Sequence, residues 1–438
     1  MNLIYDASMM AGGPKARTGI GRVVASVAAE LAGSTECATR FCTAASPRLE
    51  SAVAEELAQR PFSTGSFVRA PLGEAPLYRG SVEMVRRLVP NRPNMDSGLT
   101  ARALAFPFRA VCKIMERRAC LLPASALDWA DVFHSPAPPL SRPRFWPRQK
   151  RGARRTAAER RLKLFLTVYD LIAILHPEWF DGSLARRMRA ALDTLTPDMW
   201  ALCISRATRD DLLNHRPDLD PERVVVTHLA ASGAFRPCAD PTIRQALRSK
   251  YGIPRDVPYF LTLNTLEPRK NLDAVVEAFH RLTEQPGLPD LHLVLAGGQG
   301  WKFDRVMKLI EARPALRTRI VLTGFVHDDD LPALYSGAVG FVYPSLYEGF
   351  GLPPLEAMQC GVPVITSNIS SLPEVVGDAG IMVAPCDLDA IAQAMLNLCA
   401  NEGLRQSLST AGLNRARQFS WAKCAAETIA AYKLAVAE

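Results

Sequence analysis

The second half of the chain alternates short apolar runs with amphipathic stretches. Apolar residues recur every three or four positions in 271–282 and 387–400, as they do on one face of an α-helix. The runs that we predict to be strands are 259–265, 291–298, 319–325, 339–345, 363–367 and 380–384. Apolar strands separated by helices of this length are typical of a parallel sheet covered on both faces, so this half is predicted to be a doubly wound α/β domain.

The first half repeats this pattern less regularly. A helix is predicted over 20–32, and no element is assigned in 62–125, where Pro, Gly and Arg are mixed with apolar residues. The predicted strands are 2–7, 40–45, 131–135, 162–170, 200–205 and 223–230. Gly and Pro residues interrupt the alternation at 233–242, which indicates a domain boundary there.

We therefore expect one doubly wound domain over 1–238 and a second over 239–418. The last segment, 419–438, is predicted to be an amphipathic helix that packs back on the N-terminal domain. Ligands of doubly wound sheets bind at the carboxyl ends of the strands. Two such domains facing each other would therefore place a site between them.

Composition narrows the class of protein. Of the 438 residues, 48% are hydrophobic and 22% are charged, and the apolar runs are short, which is typical of a globular protein that does not span a bilayer. The N-terminal residues lack the pattern of a secretory signal, so we expect a cytoplasmic protein. The ten cysteines form no CxxC pair and no zinc-ligand spacing, and we expect them to be reduced.

The formal charge is +8, and much of it lies in 142–163, where ten basic residues face one acid, Glu159. Such a run could bind anionic lipid or nucleic acid. A solvated loop would explain it equally well.

Residues 347–358, YEGFGLPPLEAM, place Glu348 and Glu356 on either side of a turn that contains Gly349 and Gly351. The prolines suit the first turn of a helix, whose free N–H groups and dipole bind phosphate. Carboxylates beside a phosphate need hydroxyl partners, and a nucleotide sugar offers hydroxyls on both sides of its diphosphate. The alternative is an ordinary loop acid and a first-turn helix acid.

Two further groups bear on this site. Arg269 and Lys270 follow a predicted strand of the same sheet, where they could neutralise the diphosphate, although a solvated basic turn is the alternative. The three aspartates at 328–330 are expected to cap a helix rather than to bind a metal. We predict neither a metal nor a cofactor.

The segments EGFGLPPLE, EPRKN, LVLAGGQGW and LPEVVGDAG together resemble the retaining GT-B fold glycosyltransferases of family four, which use nucleotide-diphospho-sugars. The likeness extends from Tyr259 to Val383 and is weaker in TGIGR, DVFHSP and CISRATRDDL. It implies a GT-B fold, in which two Rossmann-like domains face each other across a cleft, with the acceptor on the first domain and the donor on the second. Within the family, the sequence is similar to bacterial mannosyltransferases of surface-polysaccharide assembly.

The resemblance also implies residue roles. Glu348 would contact the transferred sugar and, with His134, form the catalytic set, whereas Asp170 would contact the acceptor. Members often have histidine at the position of Tyr169. The implied donor-binding residues are Gly19, Arg269, Lys270, Val326, Gly349, Phe350, Gly351, Leu352 and Glu356. Many members carry an arginine where this chain has Asn264 and Thr265, and Arg269 could supply that charge.

We therefore expect a retaining hexosyltransferase that moves mannose from GDP-mannose to a polyprenyl-diphosphate-linked oligosaccharide in exopolysaccharide, capsule or O-antigen synthesis. The acceptor suggests that 142–163 contacts an anionic membrane surface, on the inner face of the cytoplasmic membrane, rather than nucleic acid. Two alternatives stay open, a non-catalytic scaffold of the same fold and a nucleotide-sugar epimerase.

Overall fold

The computed structural model describes most of the chain outside two basic and proline-containing regions. The described residues are 1–10, 19–42, 124–136, 162–180, 182–265, 267–298 and 304–438, together with Val53, Val68 and Met84. The predicted membrane-contact segment, 142–163, therefore lies outside the described residues except at its last two positions.

The first half forms a six-stranded parallel sheet, called the first sheet below. Its strands are β1 (Asn2–Asp6), β2 (Ala38–Cys42), β3 (Val132–Ser135), β4 (Lys163–Val168), β5 (Trp200–Cys203) and β6 (Val224–Val226). Its described helices are α1 (Ile20–Gly33), α2 (Ala124–Trp129), α3 (Ile172–Leu175), α4 (Gly182–Leu192) and α5 (Arg206–His215). The strand order is β2-β1-β3-β4-β5-β6, so the order reverses between β1 and β3.

The second half forms another six-stranded parallel sheet, the second sheet. Its strands are β7 (Tyr259–Leu263), β8 (His292–Ala296), β9 (Ile320–Gly324), β10 (Gly340–Tyr343), β11 (Val364–Ser367) and β12 (Ile381–Val383). The order β12-β11-β10-β7-β8-β9 is that of a Rossmann sheet, with its reversal between β7 and β10.

Ten further helices accompany the second sheet in the described part of the chain. They are α6 (Pro241–Lys250), α7 (Leu272–Thr283), α8 (Asp304–Glu311), α9 (Pro314–Arg317), α10 (Leu331–Ser336), α11 (Leu352–Gln359), α12 (Leu372–Val376), α13 (Leu388–Ala400), α14 (Glu402–Ala416) and α15 (Trp421–Ala437). The last of them, α15, packs on α1 and β4 of the first sheet.

The core confirms the doubly wound prediction, because strand residues are buried on both faces. All five residues of β8 are buried, and α7 and α13 pack together against one face of the second sheet. Each predicted strand contains an observed strand except 40–45, which overlaps β2 but misses its first two residues. The predicted helices at 20–32, 271–282, 387–400 and 419–438 are present within about two residues at each end. Helix α14 was not assigned from the sequence.

One alternative and one expectation differ from the structure. Glu356 is the fifth residue of α11, so it is not the first-turn helix acid of the alternative interpretation. Asp330 stands at the N-cap of α10, but its carboxylate makes no capping bond. It accepts hydrogen bonds from Lys250 Nζ and Tyr251 OH, each at 2.6 Å, because α6 packs beside α10.

Candidate active site

The loops after β7 and β10 meet where the strand order of the second sheet reverses. Neighbouring strands on the two sides of such a point send their connections to opposite faces, which leaves a crevice at their carboxyl ends. Lys270 lies seven residues after the end of β7, and Glu348 lies five residues after the end of β10. The topology therefore brings together two side chains that are 78 positions apart.

Glu348 is the centre of a buried polar cluster. Lys270 Nζ donates to its Oε1 at 2.7 Å, and Tyr343 OH donates to the same oxygen at 2.8 Å. Arg269 Nη1 donates to its Oε2 at 2.7 Å. Arg269 Nη2 also donates to Glu267 Oε1 at 2.8 Å, so two cations and two carboxylates share this crevice.

The two cations keep Glu348 ionised. Burial by itself would raise the pKa of Glu348, but Lys270 and Arg269 outweigh it and bring the pKa to about 2. Burial lowers the pKa of Lys270, and the charge of Glu348 opposes that effect. Arg269 and Lys270 thus bind the same carboxylate, that of Glu348. The Nε atom of Arg269 is buried without a hydrogen-bond partner among the described residues.

The glycine turn before α11 lies between the two halves of the molecule. A Cβ on Gly349 would stand 2.6 Å from the carbonyl oxygen of Tyr169, which follows β4 of the first sheet. Gly351 is the N-cap of α11 with φ 110°, a left-handed conformation that favours glycine. Only glycine therefore fits this turn without displacing its neighbours.

The other two residues of the turn differ in exposure. Phe350 is 3% exposed and packs its ring near Phe419 and His228, so only its backbone could reach a ligand. Leu352 is the first residue of α11 and is partly buried.

Glu356 lies on α11 with its carboxylate almost fully buried. Tyr335 OH donates to its Oε2 at 3.1 Å, and Arg22 Nη1 of the first half lies 4.0 Å from its Oε1. Burial raises the pKa of Glu356 to about 7, against the opposing effects of Arg22 and Tyr335. This acid can therefore gain or lose a proton near neutral pH.

Asp170 approaches the Glu348 cluster from the first sheet. Its Oδ1 accepts from Ile172 N at 3.0 Å, and a Cβ on Gly349 would stand 3.5 Å from its Oδ2. Burial raises the pKa of Asp170, while the N–H of Ile172 and the charge of Arg269 oppose the rise. Asp170 is thus brought beside the glycine turn of the second half by the packing of the two halves.

Gly19 directly precedes α1 in the first half, and Val326 lies two residues after β9 in the second half. Gly19 is the exposed N-cap of α1 with φ 50°, three residues before Arg22, which reaches the second half. Val326 is 4% exposed and belongs to the core, whereas the neighbouring Phe325 is 64% exposed.

His134 has different surroundings from the other predicted residues. Its ring is 2% exposed, with Nε2 2.8 Å from Thr167 Oγ1 and Nδ1 2.6 Å from Tyr432 OH of α15. Burial lowers its pKa to about 3, so the ring is neutral in the folded protein. Both ring nitrogens are occupied by protein partners, and a contact with a sugar would require Tyr432 or Thr167 to move.

Several residues of the site were missed by the sequence analysis. They are Arg22, Thr208, Glu267, Asp328, Tyr335 and Tyr343. Thr208 Oγ1, for example, lies 3.2 Å from the carbonyl oxygen of Gly349 across 141 positions of sequence. No local spacing links such residues, although Arg22 lies inside the TGIGR segment that the resemblance had singled out.

The chain is similar to known proteins in sequence and in fold. The family model described as glycosyl transferases group 1 matches residues 243–415. The O-antigen chain mannosyltransferase B of Escherichia coli is 39% identical over 272 residues, which are 61% of this chain and 69% of that protein. The serotype-specific mannosyltransferase WbdA of Escherichia coli is 33% identical over 267 residues, but these are only 32% of its length.

A solved structure covers nearly the whole chain. Anabaena HepE, crystallised with UDP and glucose, superposes with a TM-score of 0.61 at 18% identity, over 98% of this chain and 99% of its own. At this identity the similarity demonstrates the shared fold.

Proposed function

This chain belongs to the group 1 glycosyltransferases and has their two-domain GT-B fold, and we propose that it transfers mannose from GDP-mannose to a lipid-linked oligosaccharide in O-antigen synthesis. It is a glycosyltransferase by family. The donor, the acceptor and the retention of anomeric configuration are the proposed part. The division into an acceptor-binding 1–238, a donor-binding 239–418 and a returning helix in 419–438 belongs to the same proposal.

The observation that carries the proposal is the buried cluster of Glu348, Lys270 and Arg269 at the reversal point of the second sheet. Two cations beside a glycine turn suit a diphosphate, and a carboxylate with a pKa near 2 suits hydroxyl donors at any physiological pH. A nucleotide-diphospho-sugar has both kinds of group.

The chemistry follows from where charge develops. When the bond from the anomeric carbon to the diphosphate oxygen breaks, its electron pair goes to the departing diphosphate. Lys270, Arg269 and the N–H groups at the start of α11 would stabilise that charge. The proton of the attacking hydroxyl would pass to the diphosphate on the same face, so retention needs no protein nucleophile.

The remaining predicted residues take supporting roles in this proposal. Glu356 would bind the ribose, the backbone of residues 349–352 would hold the diphosphate, and the loops at Gly19 and Val326 would flank the donor. Asp170, which faces the Glu348 cluster from the first sheet, would contact the acceptor. His134 stays a proposed catalytic residue on the strength of the family resemblance alone, since its observed partners are Thr167 and Tyr432.

The choice of mannose and of O-antigen synthesis is supported by the relatives named above, which are mannosyltransferases. We test it with a panel of GDP-mannose, UDP-glucose and dTDP-rhamnose, read by thermal shift. A donor at about 100 times its Kd should stabilise the protein by about 2.7 kcal/mol. Transfer of labelled mannose to a polyprenyl-diphosphate oligosaccharide, with the anomeric configuration read by NMR, then tests acceptor and stereochemistry.

Each alternative has its own outcome in that experiment. Stabilisation by none of the nucleotide sugars would favour the non-catalytic scaffold. Conversion of the donor to an epimer without any acceptor would favour the epimerase.

Membrane contact is proposed from the sequence of 142–163. No helix among the described residues combines the length and apolarity needed to cross a bilayer. A lipid-linked acceptor would still bring the enzyme to the inner face of the cytoplasmic membrane, and the basic run would bind anionic lipid there.

We expect the triple change of Arg151, Arg154 and Arg155 to Ala to reduce sedimentation with anionic vesicles, most strongly at low salt, because three positive charges are lost. Neutral vesicles serve as the control. Equal sedimentation of the variant and the wild type would contradict membrane contact through this run.

A further inference from the structure

Arg22 reaches across the molecule from α1 to two acids of the other half. Its Nη1 lies 3.5 Å from Asp328 Oδ2 and 4.0 Å from Glu356 Oε1. The Arg22 side chain is 35% exposed, while that of Glu356 is 5% exposed. One cation is thus shared between a surface acid and a buried acid.

The groups that face Glu356 come from four places. Tyr335 on α10 donates to Oε2, Arg22 approaches Oε1 from α1, Asp328 lies in the loop before α10, and Cys360 follows Glu356 at the end of α11. Among the residues that the structure describes, Arg22 supplies the positive charge that faces this carboxylate.

The protonation of Glu356 matters for its proposed role. A carboxylate accepts hydrogen bonds with both oxygens, whereas the protonated acid places a donor on one of them. With a pKa of about 7, the group is ionised in roughly half of the molecules at neutral pH. Small changes in nearby charge therefore alter how much of the enzyme can bind two hydroxyl groups.

We propose that Arg22 is a positioning residue for the donor, which pairs with Glu356 from the opposite domain and holds its carboxylate ionised and turned into the cleft to accept the ribose hydroxyls. This inference rests on the proposed function, because that function assigns the ribose to Glu356. Asp328 acts against it, since it draws Arg22 away from Glu356 and adds a negative charge beside it. The ionised fraction of Glu356 therefore depends on how closely the two domains approach each other at Arg22.

The test measures GDP affinity by calorimetry between about pH 5.5 and 9 for the wild type and five variants. An opposite charge at this range lowers a carboxyl pKa by about 1–3 units, so Arg22→Ala should weaken GDP binding about fivefold or more at pH 7. Because Glu356 still ionises at higher pH, the loss of affinity in the variant should become smaller towards the upper end of the range. Arg22→Lys, which keeps the charge, should lie close to the wild type.

Asp328→Asn is the matched control of opposite sign. Asp328→Asn removes a negative charge beside Glu356 and frees Arg22 to pair with it, so the pKa of Glu356 should fall. The decrease in GDP affinity at low pH should therefore begin at a lower pH than in the wild type. In a Glu356→Gln background this decrease in GDP affinity at low pH should vanish. Arg22→Ala added to that variant should then cause little further loss of GDP affinity.

The outcomes separate this inference from the function on which it rests. Wild-type protein that binds none of GDP, UDP and dTDP overturns both. Wild-type protein that binds GDP, with an Arg22→Ala loss that is equal at every pH or is absent, overturns the inference alone. A loss equal at every pH would mean that Arg22 touches the nucleotide directly.

Discussion

At the scale of single residues, the site consists of buried cations and carboxylates that contact one another. Glu348 contacts both Lys270 and Arg269 in this structure, so a diphosphate that binds the two cations has to compete with it. A buried ion pair is costly to break from one side, because the remaining charge has neither water nor a partner. The donor would supply that partner, which explains how one acid can serve both the fold and the proposed reaction.

Glu348→Gln should therefore lower the stability of the protein without ligand and increase its stabilisation by GDP. The variant should lose about 3–5 kcal/mol of stability, because Lys270 loses its carboxylate partner and Arg269 keeps only Glu267. GDP should raise its melting temperature by more than that of the wild type, since the diphosphate then replaces the missing anion. Transfer should fall on the order of 10²-fold or more, because the sugar loses its acceptor group.

Thermal shifts with and without GDP check this prediction, with Glu284→Gln, an exposed acid at the C-cap of α7, as the control. A smaller GDP shift in Glu348→Gln than in the wild type would contradict the proposed competition.

At the scale of secondary-structure elements, the carboxyl ends of the strands in the second sheet are closely packed. Gly297 follows β8 with φ 128°, and a Cβ there would stand 1.9 Å from the carbonyl oxygen of Asn264, which follows β7. Asn264 N in turn donates to Ala296 O at 3.0 Å, so the two strand ends are joined by their backbones. The close approach of β7 and β8 sets the direction of the loop that leads to Arg269 and Lys270.

We expect Gly297→Ala to be much more damaging than Gly298→Ala. The first change meets both a left-handed backbone and a carbonyl oxygen, and strain at such positions costs about 1–3 kcal/mol before any overlap is relieved. The second places its methyl group where no heavy atom of the described residues lies within 4 Å, so its effect should stay within about 0.5 kcal/mol. Denaturant unfolding measures the free energy of unfolding of both variants. Similar losses of stability would show that the backbone at Gly297 relaxes easily.

At the scale of the whole molecule, the two halves are joined by specific polar contacts. The carboxylate of Glu374 on α12 accepts from the backbone N–H groups of Arg206 and Ala207, at 2.9 and 3.1 Å, and so caps α5 of the first sheet. It also lies 3.0 Å from His228 Nε2. The N-terminus of α5 is thus capped both by its own Ser205 and by a carboxylate of the other domain.

Removal of this cap should loosen the two domains from each other. Glu374→Ala should cost about 1–2 kcal/mol, because two helix N–H groups lose their acceptor. It should also separate the unfolding of the two domains into resolved calorimetric transitions. Glu402→Ala, which removes an exposed first-turn acid of α14, is the control and should leave the profile unchanged.

The same contact predicts a pH dependence. Burial would raise the pKa of Glu374, but its hydrogen bonds from His228 and the two N–H groups lower it below the usual value. A depressed acid contributes stability that is present above its unfolded pKa of about 4.5 and is lost as pH falls through the folded pKa. The difference between wild type and Glu374→Ala should therefore shrink below about pH 4. A constant difference across this range would contradict the assigned charge of Glu374.

Much of the fold was predictable because it depends on local signals. Apolar runs and helical spacing gave the twelve strands and their order along the chain, since burial on both faces of a parallel sheet leaves that pattern in each segment. Residues that follow strands lie at the carboxyl edge in any such sheet, so Glu348 and Lys270 could be assigned to one crevice beforehand. Helix α14 was not predicted, because it presents only a narrow buried face that includes Gly412 and Ala416.

What the sequence by itself determined is therefore the α/β class, the two sheets and the set of side chains at their strand ends. Only the tertiary structure decided which partner each of those side chains has: Arg269 on Glu348 rather than free for phosphate, Arg22 beside Glu356, and His134 enclosed by Tyr432 at a separation of 298 positions. The physical reason is that charge pairing and burial depend on distances in space between segments that share no periodic pattern. The packing of α15 on the first sheet, and of the two domains on each other, sets those distances.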